Sequence, residues 1–451
     1  MSRRSARSLR VAAIVGLVLG SVGLAATPVQ AATVEFGRPS ITGSFDSGVV
    51  ASQPVTLQGS ISRIEVLVTM ADDPAPLVSE VTIPFAGGQT TLQYTLGGPD
   101  AHIMPNTPVA VRWRITSDGT SRIGPEVRTV VTDDRFDWRT LSGDVVRVHW
   151  YKGDRAFGER ALKIGEREVA QTSKLLGVTE TKPIDFFIYA DQGPFYDALG
   201  PGTRENVGGQ ANSDIRTLFA DIAPSSINDP WVENVVPHEL IHLVFDTAVD
   251  NPYHFPPRWL NEGLAVYLSV GYGPSDRSDV ENAASSGDLI PLDGLTSQFP
   301  TGSGFGLAYA ESVSAIDYLV RKNGQTALVS LVRSYADGKT DDEAFKGAIG
   351  MDTAAFNDAW LADLGAKAPV TFGPKPAAPG PVPSGWDGGP APAASGTPAV
   401  RATPGPAATS AAQVEEPGSR ATTSPGLVVA ALAIAGGIGV LVWSRSRRPA
   451  R

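Results

Sequence analysis

Residues 236–247 read VPHELIHLVFDT, and residues 258–269 read RWLNEGLAVYLS. Both stretches repeat apolar residues at helical spacing, which predicts two helices. His238 and His242 stand four apart in the first. On a helix that spacing puts both imidazoles on one face, with Cβ atoms about 5–6 Å apart, a bite one metal ion can bridge. Glu262 follows His242 by twenty positions. A turn through Asp250, Asn251 and the prolines after them would bring the second helix back, and Glu262 with it, to the same ion.

The donor types narrow the metal. Two imidazoles and a carboxylate with one open position make a catalytic zinc set, although the same set can also hold iron or cobalt. Glu239 lies between the two histidines. Zinc lowers the pKa of a water toward about 7, and a carboxylate beside it can take the proton as the water attacks a carbonyl.

HELIH followed by WLNEGLA resembles the glu-zincin metallopeptidases, the thermolysin-like superfamily, and most closely the bacterial peptidase MA-like group. The resemblance covers about Phe136 to Leu364. It implies zinc held by His238, His242 and Glu262, with Glu239 as general base. It also implies that NVGGQANSDIRTLFAD (206–221) holds an edge strand along the substrate. The main-chain groups of Gly208, Gly209, Gln210 and Ala211 would then pair with an extended peptide. Tyr309, in FGLAYAESVSAIDYLV, is similar in position to the tyrosine that many relatives aim at the oxyanion. His254, in NPYHFPPRW, is the other candidate for that role, against the plain reading of an exposed loop histidine.

The sequence departs from the family in three places. Pro237 directly precedes His238. It removes a helical hydrogen bond if the helix starts near Asp229, and is harmless if the helix starts near Asn234. Val266 stands where thermolysin has an aspartate that orients a ligand histidine, so that support must come from elsewhere. The aminopeptidase relatives carry a glutamate on the edge strand for the substrate's free amine, and Gly209 to Asn212 offers none. That expectation leans toward endopeptidase.

Outward from the motif the chain changes character. Residues 135–366 mix strands and helices, as in DVVRVHWY, FGERALKIGEREVAQTSKLLG and IDFFIYA, and turn almost wholly helical after Trp231. This predicts an α+β zincin-type domain. Residues 32–134 carry short alternating segments such as RIEVLVTM and VAVRWRIT, separated by turn residues. They predict an immunoglobulin-like β-sandwich without a cluster of catalytic residue types, a spacer or docking module. His102 lies in it, remote from the motif. His149 alternates along a strand, and the Asp133-Asp134 pair reads as linker charge.

The ends carry membrane signals. Four arginines, an apolar run and small residues at Val29 and Ala31 read as a signal peptide over 1–31, with an uncleaved anchor as the alternative. Residues 367–424 form a Pro/Ala/Gly-rich stalk that cannot bury enough apolar surface to order itself. Residues 425–444 read as a transmembrane helix and 445–451 as a basic cytoplasmic tail. These signals predict a single-pass protein of the cell membrane with its bulk outside.

The chain has no cysteine, which excludes disulfides, thiolate metal sites and cysteine nucleophiles. Its net charge of -10 disfavours nucleic acid as a partner. The expected function is zinc-dependent hydrolysis of peptide bonds in a peptide or protein substrate. The alternatives are a surface binding or adhesion protein with a silent metallopeptidase fold, and the same hydrolytic machinery turned on cell-wall peptide or ester bonds.

Overall fold

The computed structural model describes residues 33–366, apart from 72, 74, 83–86, 98–101, 202–206 and 252–253. The expected signal peptide, stalk, transmembrane helix and tail lie outside the described residues. Among the described residues no helix is long and apolar enough to cross a membrane.

The N-terminal module holds strands β1 (Thr33–Phe36), β2 (Ser40–Ser44), β3 (Gly48–Gln58), β4 (Ile61–Met70), β5 (Leu77–Glu80), β6 (Gly88–Leu96), β7 (Pro108–Ser117), β8 (Thr120–Ile123) and β9 (Val127–Val130). In one sheet β3 pairs with β1, β2 and β6. In the other the order is β5-β4-β7-β8, with β9 also on β7. Alternate residues of β3 (Val49, Ala51, Val55, Leu57) share a core with Val66, Val68, Val111, Trp113 and Ile115 of the second sheet. The two-residue period thus places one face of each sheet inside, as a sandwich requires.

The second half is built on a five-stranded sheet. Its strands are β10 (Arg139–Ser142), β11 (Val146–Trp150), β12 (Ile184–Tyr189), β13 (Gly209–Asn212) and β14 (Thr217–Asp221), in the order β10-β11-β12-β14-β13. β11, β12 and β14 run parallel, while β10 and β13 are antiparallel edges. Helix α1 (Arg155–Leu176) makes the crossover from β11 to β12. The Asp154 side chain caps its start by accepting from the Phe157 N–H, and Gly177 ends it in the left-handed region.

The helices that follow are α2 (Gln192–Leu199), α3 (Val232–Val249), α4 (Arg258–Ser269), α5 (Pro274–Ser286), α6 (Ser303–Asn323), α7 (Gln325–Ser334), α8 (Asp341–Ile349) and α9 (Thr353–Asp363). Six of these, α3, α4, α6, α7, α8 and α9, lie where apolar spacing predicts helix after Trp231; α5 does not, because it buries only Val280 and Ala283 and its sequence carries no apolar period. Helix α3 starts at Val232, between the two starts considered for it. Pro237 therefore sits in the second turn and removes the bond to the Glu233 carbonyl.

The two halves are bonded together. Asn106, in the loop before β7, donates to Asp185 Oδ2 at 2.9 Å and Thr217 Oγ1 at 2.8 Å. His102 Nε2 lies 3.0 Å from the Ala198 carbonyl. Asp133 is no exposed linker charge. It is buried, bonded to Arg135 and accepting from the Tyr189 hydroxyl at 2.8 Å. Each of these polar groups has found a partner, which is what lets it be tolerated inside.

Candidate metal centre and catalytic site

α3 supplies His238, Glu239 and His242, and α4 returns Glu262 to them. The approach needs Gly263. A Cβ there would meet the Ser312 carbonyl oxygen at 2.5 Å, so only glycine lets α4 lie this close to α6. The result is convergence: His238 Nε2 and His242 Nε2 are 3.1 Å apart, and Glu262 Oε2 is 3.6 and 3.4 Å from them. Among the described residues this is the group of donors that could hold a metal ion.

The fit to a cation shows in the site's own chemistry. Glu262 Oε2 is buried with no hydrogen-bond partner, a costly state for a carboxylate oxygen unless a cation takes it up. Burial disfavours the charged forms of both Glu262 and His242, but their mutual attraction overrides it. Glu262 is held well below the ordinary carboxylate range, chiefly by His242, and His242 is pushed up to about 9, chiefly by Glu262. Two imidazoles and one carboxylate are zinc ligands, and the set fits Zn²⁺.

Support around the ligands comes from residues the sequence reading did not single out. Asn261 Oδ1 accepts from His242 Nδ1 at 2.9 Å, supplying the orientation that Val266 cannot. His238 Nδ1 has no partner among the described residues. Arg258 donates twice to Glu262 Oε1, at 3.1 Å each. Its position four residues before Glu262 on one helix was the available signal.

Glu239 is 2 % exposed, beside the ligands. Its Oε2 accepts from the Ala211 N–H at 2.8 Å, while Oε1 is free of hydrogen bonds. Residues 208–211, expected along the substrate, differ in what their main-chain groups meet. Gly208 precedes β13, and its carbonyl accepts from the Asp221 N–H. Antiparallel parity then turns the main-chain groups of Gly208 and Gln210 toward β14, and those of Gly209 and Ala211 to the outer edge. The Ala211 N–H is taken by Glu239, so the edge left to a peptide is Gly209 and the Ala211 carbonyl.

Tyr309 joins the site from α6. Its hydroxyl is buried without a hydrogen-bond partner, in the fields of Glu262, Arg258 and Glu239. Burial first, and Glu262 second, raise its pKa well above the ordinary value, so it stays a donor. His254 does not join. Its Nε2 bonds Asp341 Oδ1 at 2.9 Å and its ring stacks on Tyr335. His149 is likewise committed, to Thr140 and Asp185.

Residues 165–366 match the Peptidase MA superfamily. A glutamyl aminopeptidase of Mus musculus is 24% identical over 192 residues, which is 37% of this chain. The chain spans about a fifth of that relative's length, 20%. An M1 zinc metallopeptidase from Deinococcus radiodurans aligns with a TM-score of 0.35 at 13% identity, covering 77% of this chain and 96% of that one. An aminopeptidase N family protein from Idiomarina loihiensis aligns at 0.32 and 12%, covering 69% and 58%. The matched segment, residues 165–366, contains the whole ligand set His238, His242 and Glu262.

Proposed function

We propose that the chain is a zinc-dependent peptidase. One observation carries this reading: three metal-ligand atoms converge beside a carboxylate, Glu239, that is itself oriented by the Ala211 N–H and keeps one oxygen free. Zinc, when bound, supplies Lewis acidity and brings the pKa of a water near neutrality. Glu239 Oε1 takes the proton from the attacking water and can return it to the leaving amine. Tyr309, kept protonated, donates to the carbonyl oxygen as negative charge develops there. The outer edge of β13 holds the substrate strand.

The test is Glu239→Gln in the intact chain. It keeps about one zinc per chain and loses at least ~10² of turnover, the usual size of general-base catalysis. A variant that cleaves as fast as wild type sinks the assignment, and stoichiometric zinc without turnover in the wild type would favour a silent binding protein.

Within that reading the chain end matters. Ala211 provides no carboxylate for a free amine, which supports endopeptidase action. A different observation favours aminopeptidase action, as in the name of the mouse relative. Asn212 Nδ2, at the end of β13, lies 3.3 Å from Met104 Sδ of the β-sandwich module, which limits how far a paired peptide can run on that side. Paired peptides with free and acetylated N-termini separate the two. Equal rates establish the endopeptidase reading, and dependence on the free amine establishes the other.

The arginine-led apolar start and the apolar stretch before the final arginines support placing this activity outside the cell, tethered to the membrane. Protease shaving of intact cells tests the placement. A chain protected until the cells are lysed rules it out.

A further inference from the structure

Arg258 occupies an unusual place, because it spends a full positive charge on a residue that must also bind a cation. Its Nε and Nη2 both donate to Glu262 Oε1 at 3.1 Å. The other oxygen, Oε2, faces the two histidines and has no hydrogen-bond partner. The backbone beneath the guanidinium is anchored too, since the Arg258 main-chain N–H donates to the Thr296 carbonyl at 2.9 Å. The Phe299 ring lies under the guanidinium at 4.7 Å. Tyr309, packed edge-on to Phe299 at 5.1 Å, feels its charge directly.

We propose that Arg258 is a positioning residue that makes Glu262 a one-oxygen metal ligand and weakens it as a donor. The proposal rests on the zinc-peptidase reading of the site. A carboxylate can take a metal through one oxygen or both. With Oε1 doubly hydrogen-bonded to a guanidinium, only Oε2 is available, and coordination number stays low. The guanidinium also draws charge from the carboxylate, so less reaches the metal. The site gives up affinity and keeps an open position and a more electron-demanding ion. The same charge beside Tyr309 favours negative charge developing near its hydroxyl. A lysine at this place would present one compact charge in place of a two-pronged donor, which makes Arg→Lys a graded test.

The experiment compares wild type, Arg258→Met and Arg258→Lys in the intact chain. It measures zinc affinity by chelator competition, the visible absorption of the cobalt(II) form, and kcat and KM. Methionine keeps the packing against Phe299. In Arg258→Met the freed Oε1 joins the metal. Cobalt bands, strong in a four-coordinate site, lose intensity by severalfold. Zinc binds about as tightly as in wild type or up to about tenfold tighter, and kcat falls at least tenfold with little change in KM. Arg258→Lys restores most of the cobalt intensity, and reports on its own if the methionine variant does not fold. A prop that merely orients Glu262 would give the opposite pattern. Zinc weakened about tenfold or more with unchanged cobalt bands would overturn the proposal, as would unchanged values throughout. If the wild type binds neither metal, the peptidase reading fails as well. If it binds both and only the variants disagree, the failure belongs to Arg258 alone.

Discussion

The backbone N–H of Ala211 donates to Glu239 Oε2 at 2.8 Å, so the edge strand of the sheet holds the carboxylate proposed as general base. The bond joins residues 28 positions apart, and their spacing along the chain does not encode it. It leaves Oε1 free of hydrogen bonds and fixes where that oxygen points.

Gly209 sets the spacing for this contact. A Cβ there would meet Val235 Cγ1 at 2.9 Å and Glu239 Cγ at 3.1 Å. Gly209→Ala should therefore push β13 off α3 and loosen Glu239, lowering kcat/KM about tenfold or more while zinc content stays at wild type. Wild-type kinetics for this variant would show that the strand contact does not orient the base.

Asn261 is the only hydrogen-bond partner the described structure gives His242 Nδ1. Removing such a partner typically weakens metal binding 10–100-fold, roughly. Asn261→Ala should show that loss in chelator competition. Affinity within twofold of wild type would remove Asn261 from the account.

Tyr309→Phe deletes one buried hydroxyl and leaves the ring packed between Phe299 and Phe305. The loss should fall on kcat, by roughly 10²–10³, with KM nearly constant, as for a donor that acts only in the transition state. A purely structural tyrosine would instead lower the melting temperature and spare kcat.

Glu311 is fully buried on α6 and accepts one bond, from the Ile290 N–H at 3.0 Å. Burial raises its pKa from 4.5 to about 8. The folded state thus holds a proton that the unfolded chain releases earlier. Stability from this group is fully present below pH 4.5, declines as pH rises toward 8, and then levels off. Glu311→Gln keeps the acceptor for Ile290 and cannot ionise. It should raise the melting temperature by several degrees above pH 8 and change it little near pH 4.5. An equal effect at both pH values would contradict the buried-acid account.

The sequence alone determined the elements whose signal is local. His238 and His242 share a face because a helix repeats every 3.6 residues, and the apolar spacing of α4 places Glu262 on its inner side. The same periodicity marked α1, α6, α7, α8 and α9, and alternation marked the longer strands of the sandwich. Helix α5 escaped because a mostly solvated helix carries no apolar stripe. The tertiary structure decided everything that depends on segments distant in sequence. It assigned the Ala211 N–H to Glu239, took His254 out of the site by pairing it with Asp341, and brought Met104 against Asn212. It also turned Asp133 inward to Tyr189. Such contacts follow from how sheets and helices stack once their apolar faces are buried, and residue spacing along the chain does not encode them.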